Sequence, residues 1–387
     1  MSAHPCVGER AKLEVADIVC THRAELEATH WVTLEQRRVL SAMALCRTAA
    51  LGGHLDVCRS CHLERSSYNS CRNRHCPKCQ ALAQERWIAA RAEKLLPVGH
   101  FHAVFTVPSE LRSLAQRAPR AVYDALFHAA SETLQELGRT RVDATLGITM
   151  VLHTWTRELH HHPHVHAIVT AGGLTDSGWK PMSLKYLFPV DVMGEMLRGK
   201  MQTRLRELHR AGELPETNAS LERLMQQLEE HDSWVVYVKK AFRHAEHVLK
   251  YLGRYTHRVA ISNSRLVSID HDRVMFRTKN GKVITLESVE FLRRFVQHVL
   301  PKGFQKIRHY GLYASAANDS LQQAHTLLHS SDSDEIRDNI DRMRTWQTAL
   351  KELTGRDVNV CPKCGGQVEH QPLASQARAP PEARRAA

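Results

Sequence analysis

Five histidines fall within residues 160 to 166 of "HHHPHVHAIVTAGGL", where an apolar run begins. In an extended chain, side chains two apart share a face, so His164 and His166 project together and Val165 projects the other way. Two neutral imidazoles side by side form half of a site for a divalent ion, and a third donor is then required. His153 lies on a second apolar run, "LGITMVLHTW", and a hairpin would set it beside the pair. His162 shares the same face, although Pro163 marks the strand start. The competing reading is a surface histidine cluster at a hairpin tip.

The ten cysteines carry a second chemistry. Cys58-x2-Cys61 and Cys76-x2-Cys79 are two knuckles, expected to converge on one structural zinc. Cys71 and His75 are spare ligands for a second site, or substitutes for a knuckle thiolate. Cys361 and Cys364, in "CPKCGG", supply half a site, to be completed by His370 or by groups from elsewhere in the fold. Arg72, Arg74 and Lys78 stand among the cysteines as candidate phosphate contacts.

A third constellation is "KYLGRYTHR". Tyr251 and Tyr255 are four apart and share a helix face. An aromatic pair at this spacing alone reads as core packing, but Lys250, Arg254 and Arg258 flank it. A phenol with a pKa of about 10 is a poor nucleophile. A nearby divalent ion and arginines around a phosphate would favour the phenolate.

The elements that position these groups read as follows. Residues 9–50 are expected to be helical, as are 81–96, 119–138, 191–210, 245–258 and 287–300. "HFHAVFTV", "LGITMVLHTW", "VHAIVTAGGL" and "WVVYVKKAF" read as strands. "VAISNSRLVSI" and "RVMFRTKNGKVITL" read as paired strands with a turn at Asn280-Gly281. The tail "SQARAPPEARRAA" is expected to be disordered.

Lys+Arg 53 against Asp+Glu 41 give a net charge of +12 over 387 residues, which suits a polyanionic partner such as nucleic acid. No secretion signal or membrane-length apolar run is apparent, so a cytoplasmic protein with reduced, metal-binding cysteines is expected. No GxxxxGK[ST] occurs, which excludes a P-loop motor, and no acidic triad stands out.

"HPHVHAIVTAGGL" followed by "WVVYVKKAF…VLKYLGRYTHRVAIS" resembles the HUH-type two-tyrosine transposases of the IS91 group. "CRTAALGGHLDVC…YNSCRNRHCPKCQ" is similar to their zinc-binding domain, and "LPKGFQKIRHYGLYA" also fits. The resemblance spans residues 15 to 315 and implies an α+β chain. Its parts are a helical zinc-binding domain (1–96), a relaxase- or Rep-like domain with a central antiparallel sheet (97–315), and a C-terminal helical segment with the CPxC knuckle and tail (316–387).

The implied activity is rolling-circle-type transposition through a 5′-phosphotyrosine. Tyr251 and Tyr255 are the nucleophiles, and His164 and His166 hold Mg²⁺ or Mn²⁺, with His153 as third ligand. The implied partners are single-stranded DNA at transposon ends and target, with host replication or helicase factors at the bacterial nucleoid. Two features depart from the pattern: Thr156-Arg157 stand where relatives commonly carry Gly-Gln, and the triple histidine before Pro163 is heavier than usual. A zinc-dependent DNA-binding or replication-accessory protein without catalysis is the alternative.

Overall fold

The structure, a computed structural model, describes residues 13–79, 94–242, 260–328 and 357–373, with isolated positions between 83 and 91 and at 248, 351 and 355. The chain begins with helices α1 (Val15–Thr29) and α2 (Leu34–Ala44) and a hairpin of β1 (Gly53–Cys58) and β2 (Glu64–Tyr68). Next come β3 (His100–Thr106), α3 (Leu111–Arg117), α4 (Pro119–Leu137), β4 (Thr145–Trp155), β5 (His161–Thr175) and β6 (Gly178–Pro181). Helices α5 (Val190–Arg210) and α6 (Asn218–Glu229) precede β7 (Val236–Phe242). The remainder is β8 (Leu266–Ile269), β9 (Arg273–Arg277), β10 (Val283–Glu287), α7 (Ser288–Val296), β11 (Ile307–Gly311), α8 (Asn318–Leu327) and β12 (Val368–Leu373).

Local chemistry sets several of these boundaries. Thr33 caps α2 by accepting from the Gln36 amide, while the Gln36 side chain accepts from the Thr33 N–H, a reciprocal box that satisfies two end donors. Pro119 opens α4, where its missing N–H costs nothing. The turn at Asn280-Gly281 forms as expected, with Gly281 at φ 85°, between β9 and β10.

The centre is a six-stranded antiparallel sheet in the order β11-β4-β5-β3-β7, with β6 pairing on β5. Its strands alternate through their central residues, with bulges in the β3–β7 and β4–β5 pairings. Phe101, Ala103 and Phe105 of β3, Leu146, Ile148, Met150 and Leu152 of β4, and Val165, Ala167 and Val169 of β5 share one core with helices α3 to α6. A buried side chain of the larger kinds contributes roughly 2 kcal/mol, so this face anchors the sheet. By the same alternation His102, His153, His164 and His166 turn to the opposite face.

One expectation needed correction. The N-terminal zinc-binding region is not all helical: β1 and β2 form a hairpin, and β12 adds to β1 to give a sheet ordered β12-β1-β2. The reason is that "GHLDVC" offers period-two rather than helical spacing, and β12 comes from sequence next to the expected tail. Helices α1 and α2 also pack with distant sequence, since Val15, Ile18, Val39 and Leu40 share a core with Val274, Phe276, Phe291 and Phe295. The Gln36 side chain donates to the Val296 carbonyl at 2.9 Å across this junction. This core therefore joins residues from both sides of position 96.

Candidate functional site

Strand register assembles the histidines. His153 of β4 lies directly opposite His164 of β5, and Val151 lies opposite His166. Ring centroids are 5.4 Å apart for His153–His164, 4.3 Å for His153–His166 and 5.0 Å for His164–His166. One ring nitrogen from each lies within 4.8 Å of the others, a spacing that one ion could bridge.

The protonation states suit ligation. Burial pushes the His164 pKa down to about 4 and holds that of His166 well below the usual imidazole value, so both rings are neutral near pH 7. His164 Nδ1 lies 2.7 Å from the His162 carbonyl and donates to it, leaving Nε2 as the ligand atom. His166 Nδ1 lies 2.8 Å from Nε2 of His102, whose ring stacks on it at an interplanar angle of 8°. Neighbours that fix ring orientation in this way are what metal-bound histidines require. His102 was not singled out in the sequence, although "HFHAVFTV" on its own strand, read at period two, places it on the same face as the pair.

The three histidines lie in a cleft bordered by Trp155, Thr156, Arg157, Arg265 and Lys279. Trp155 stacks on His153 with centroids 4.7 Å apart, and the buried Lys306 ammonium lies 5.2 Å from the centre of its indole. Arg265 donates to the Arg277 and Arg157 carbonyls, each at 2.7 Å, which fixes the rim. The described lining contains cations and imidazoles and no carboxylate. A divalent ion held there would keep its full charge to attract a phosphodiester. Thr156 and Arg157 form part of this rim.

Tyr251, Tyr255, Lys250, Arg254 and Arg258 lie outside the described residues. Ala260, where description resumes, borders the histidine cleft with Ile261 and Ser262.

The cysteines assemble differently from the single zinc site expected of Cys58, Cys61, Cys76 and Cys79. Cys76 and Cys79 converge with Cys71 and Cys46, whereas Cys58 and Cys61 converge with Cys361 and Cys364. Cys46 Sγ lies 3.2 Å from Cys79 Sγ, and Cys71 Sγ lies 3.5 Å from Cys79 Sγ. The two knuckles part because β1 leads Cys58 onto β12, while Cys76 is buried beside α2 in the core shared with β9 and α7.

Cys46 went unassigned in the sequence, yet the arithmetic contained a signal. Three CxxC pairs cannot fill four-ligand sites evenly, and Cys46 and Cys71 make up the missing pair. Four thiolates are a donor set that zinc takes.

His75 is not a ligand here. It is buried, its Nδ1 lies 3.1 Å from the Asn73 side-chain oxygen, and its Nε2 accepts from the Leu300 N–H at 3.1 Å. Two of the three expected phosphate contacts are also engaged internally. Arg74 donates to the Phe304 and Pro301 carbonyls at 2.6 and 3.0 Å, and Lys78 pairs with Glu14. Only Arg72 of the three is exposed.

Fold and site together describe a basic α/β protein with a histidine-lined, cation-rimmed cleft, and comparison with known proteins gives the class. Residues 147–320 match the family described as "Putative transposase", and residues 18–107 match "Transposase zinc-binding domain". The chain is 39% identical over 376 residues to "Putative transposase y4qJ" of Sinorhizobium fredii, covering 92% of this chain and 94% of that protein. It is 31% identical over 296 residues to "Transposase for insertion sequence element IS801" of Pseudomonas savastanoi pv. phaseolicola, covering 71% of this chain and 70% of that protein. The chain belongs to the IS91 family of insertion-sequence transposases. No solved structure matches it. No described helix is long and apolar enough to cross a membrane.

Proposed function

We propose that this transposase cuts and rejoins single-stranded DNA through a tyrosine–phosphate intermediate formed at the histidine cleft. The observation that carries the proposal is the convergence of His153, His164 and His166 in a cation-rimmed cleft bordered by Ala260, five residues after Tyr255. A phenolate of Tyr251 or Tyr255 attacks the scissile phosphorus, and the bond to the 3′ oxygen breaks. The 5′ phosphate stays on the tyrosine, and the 3′ oxygen takes up a proton. A divalent ion held by the three imidazoles would polarise the phosphate and neutralise developing charge.

An all-nitrogen, uncharged donor set suits Mn²⁺ better than Mg²⁺, which favours oxygen ligands. Arg157, Arg265 and Lys279 would steer the phosphodiester backbone, and Lys250, Arg254 and Arg258 would add to them. A second tyrosine one turn along a helix can attack while the first still holds an end, which suits transfer between transposon end and target. Zinc on Cys46, Cys71, Cys76 and Cys79 has a structural role in this scheme. The protein would work in the bacterial cytoplasm at the nucleoid, with host replication or helicase factors supplying single strands.

The test is a denaturing gel of the full chain incubated with labelled single-stranded ends of its own element, with and without Mn²⁺. A covalent adduct should form in the parent and persist in Tyr251→Phe and Tyr255→Phe singly. It should vanish in the double variant. An adduct in the double variant would remove the tyrosine mechanism, and binding without any adduct in the parent would favour a DNA-binding role alone.

A further inference from the structure

The β12-β1-β2 sheet poses a question of stability. Among its strand residues only Cys58 is buried, and β12 is exposed along most of its length. Six residue pairs join β1 to β12, from Gly53–Leu373 to Cys58–Val368, yet among the described residues none of these pairs belongs to a hydrophobic core. Strands this short do not hold together on backbone hydrogen bonds alone. A cross-link must supply what a core does not.

The two CxxC loops meeting at one end of this sheet have the same backbone. Cys58 N–H donates to the carbonyl five residues on, Leu63, at 3.0 Å, and Cys361 N–H donates to Gly366 at 2.8 Å. His62 and Gly365, each directly after the second cysteine, are left-handed at φ 54° and 74° and return hydrogen bonds to the Cys58 and Cys361 carbonyls. Backbone amides point at sulfur in both loops: Cys61 N lies 3.5 Å from Cys58 Sγ, and Gly366 N lies 3.4 Å from Cys364 Sγ. Such N–H···S contacts stabilise thiolates rather than thiols. A left-handed histidine is also strained, and strain of this kind persists where the surroundings impose it.

The sulfurs complete the geometry. Cys58 Sγ and Cys364 Sγ are 3.4 Å apart, Cys61 Sγ and Cys361 Sγ are 3.7 Å apart, and all four lie within 4.8 Å of one another. A tetrahedral ion with metal–sulfur bonds of about 2.3 Å needs sulfurs about 3.8 Å apart. We propose that Cys58, Cys61, Cys361 and Cys364 bind a second structural zinc that clasps the C-terminal segment onto the N-terminal hairpin. Half of its ligands lie outside the matched zinc-binding region, which ends at residue 107. The clasp makes residues 357–373 part of the N-terminal module although up to 306 positions separate the cysteines.

The test counts metal, independently of DNA cleavage. The full-length chain is purified from zinc-supplemented cells without a metal-binding tag, and its zinc is measured beside that of Cys361→Ser/Cys364→Ser. The variant is expected to hold one equivalent less than the parent, whatever the histidine cleft retains in both. Cobalt-substituted parent should show about twice the variant's thiolate-to-cobalt absorption, as expected of two tetrahedral sites against one. Trypsin should cleave near Lys351 and Lys363 about tenfold faster in the variant. Equal zinc in both proteins would overturn the proposal. So would four thiols of this cluster reacting freely in the natively folded parent. Because the altered pair lies far along the chain from the first cluster, retention of thiolate-bound metal by the variant also shows that the rest of the fold is intact.

Discussion

The histidine centre and the cysteine clusters are both metal-type sites, but they are built on opposite principles. His153, His164 and His166 stand on adjacent strands whose other face is sealed by the helices of the main core. The sheet holds them in place whether or not an ion is bound. The Cys58/Cys61/Cys361/Cys364 cluster lies where little apolar surface is buried, and the Cys46/Cys71/Cys76/Cys79 cluster ties the 71–79 loop to the end of α2. On the proposed reading, the first arrangement preorganises a site for chemistry, and the second uses a metal to make a fold. Losing metal should therefore silence one site and dismantle the others.

The largest effect expected is at Cys76, which is 2% exposed in the core shared by α1, α2 and α7. Cys76→Ser should release zinc and destabilise the protein by at least ~4 kcal/mol, a midpoint fall on the order of 10 °C. Cys20→Ser, at an exposed position outside both clusters, should stay within ~0.5 kcal/mol. Thermal unfolding with zinc analysis checks both. A Cys76→Ser protein that melts like the parent would erase the distinction drawn above.

Next comes the histidine pair. His164→Ala/His166→Ala should lose Mn²⁺-dependent cleavage by more than ~100-fold, since a ligand counts for more than the 10- to 100-fold of an outer partner. Its melting temperature and DNA affinity should change little, because the core lies on the other face and phosphate contacts come from the cations. Unfolding of this variant would show that the centre is structural like the cysteines.

A smaller and sharper test is His102. His102→Ala should raise the Mn²⁺ concentration needed for half-maximal cleavage by roughly 10- to 100-fold while the rate at saturating Mn²⁺ largely recovers. His102→Gln, which can still hydrogen-bond to His166, should restore much of the affinity. A rate loss that saturating metal leaves untouched would argue against a positioning role.

The smallest effect is expected at the exposed rim. Arg157→Gln should weaken single-strand binding a fewfold and reduce the magnitude of the salt slope of log K by ~0.7. Titrations at several salt concentrations measure this, and an unchanged slope would place the DNA path elsewhere.

The degree to which each site was legible follows from the same contrast. The histidine centre was readable because alternation along a strand is local, and a hairpin tip of a few residues leaves little freedom in the register between β4 and β5. Helices α4 and α5 were readable from 3.6-residue periodicity for the same reason, within a residue or two of their ends. The cysteine partners were not. A CxxC loop specifies two ligands and their direction but is silent about which other loop will meet it. Arg74 and Lys78 misled in the same way, since their charge was visible but the Phe304 carbonyl and Glu14 carboxylate awaiting them were not.

The sequence by itself determined the elements with a short period: the strand faces, helices α4 and α5, the half-sites and the family that their order resembles. Tertiary structure decided what closes on what. It paired Cys58 and Cys61 with a knuckle at residues 361–364, set α1 and α2 against residues 260–296, and placed His102 behind His166. The physical reason is range. Alternation and helical periodicity are imposed by backbone geometry over a few residues, whereas long-range closure is settled by burial and shape over the whole chain.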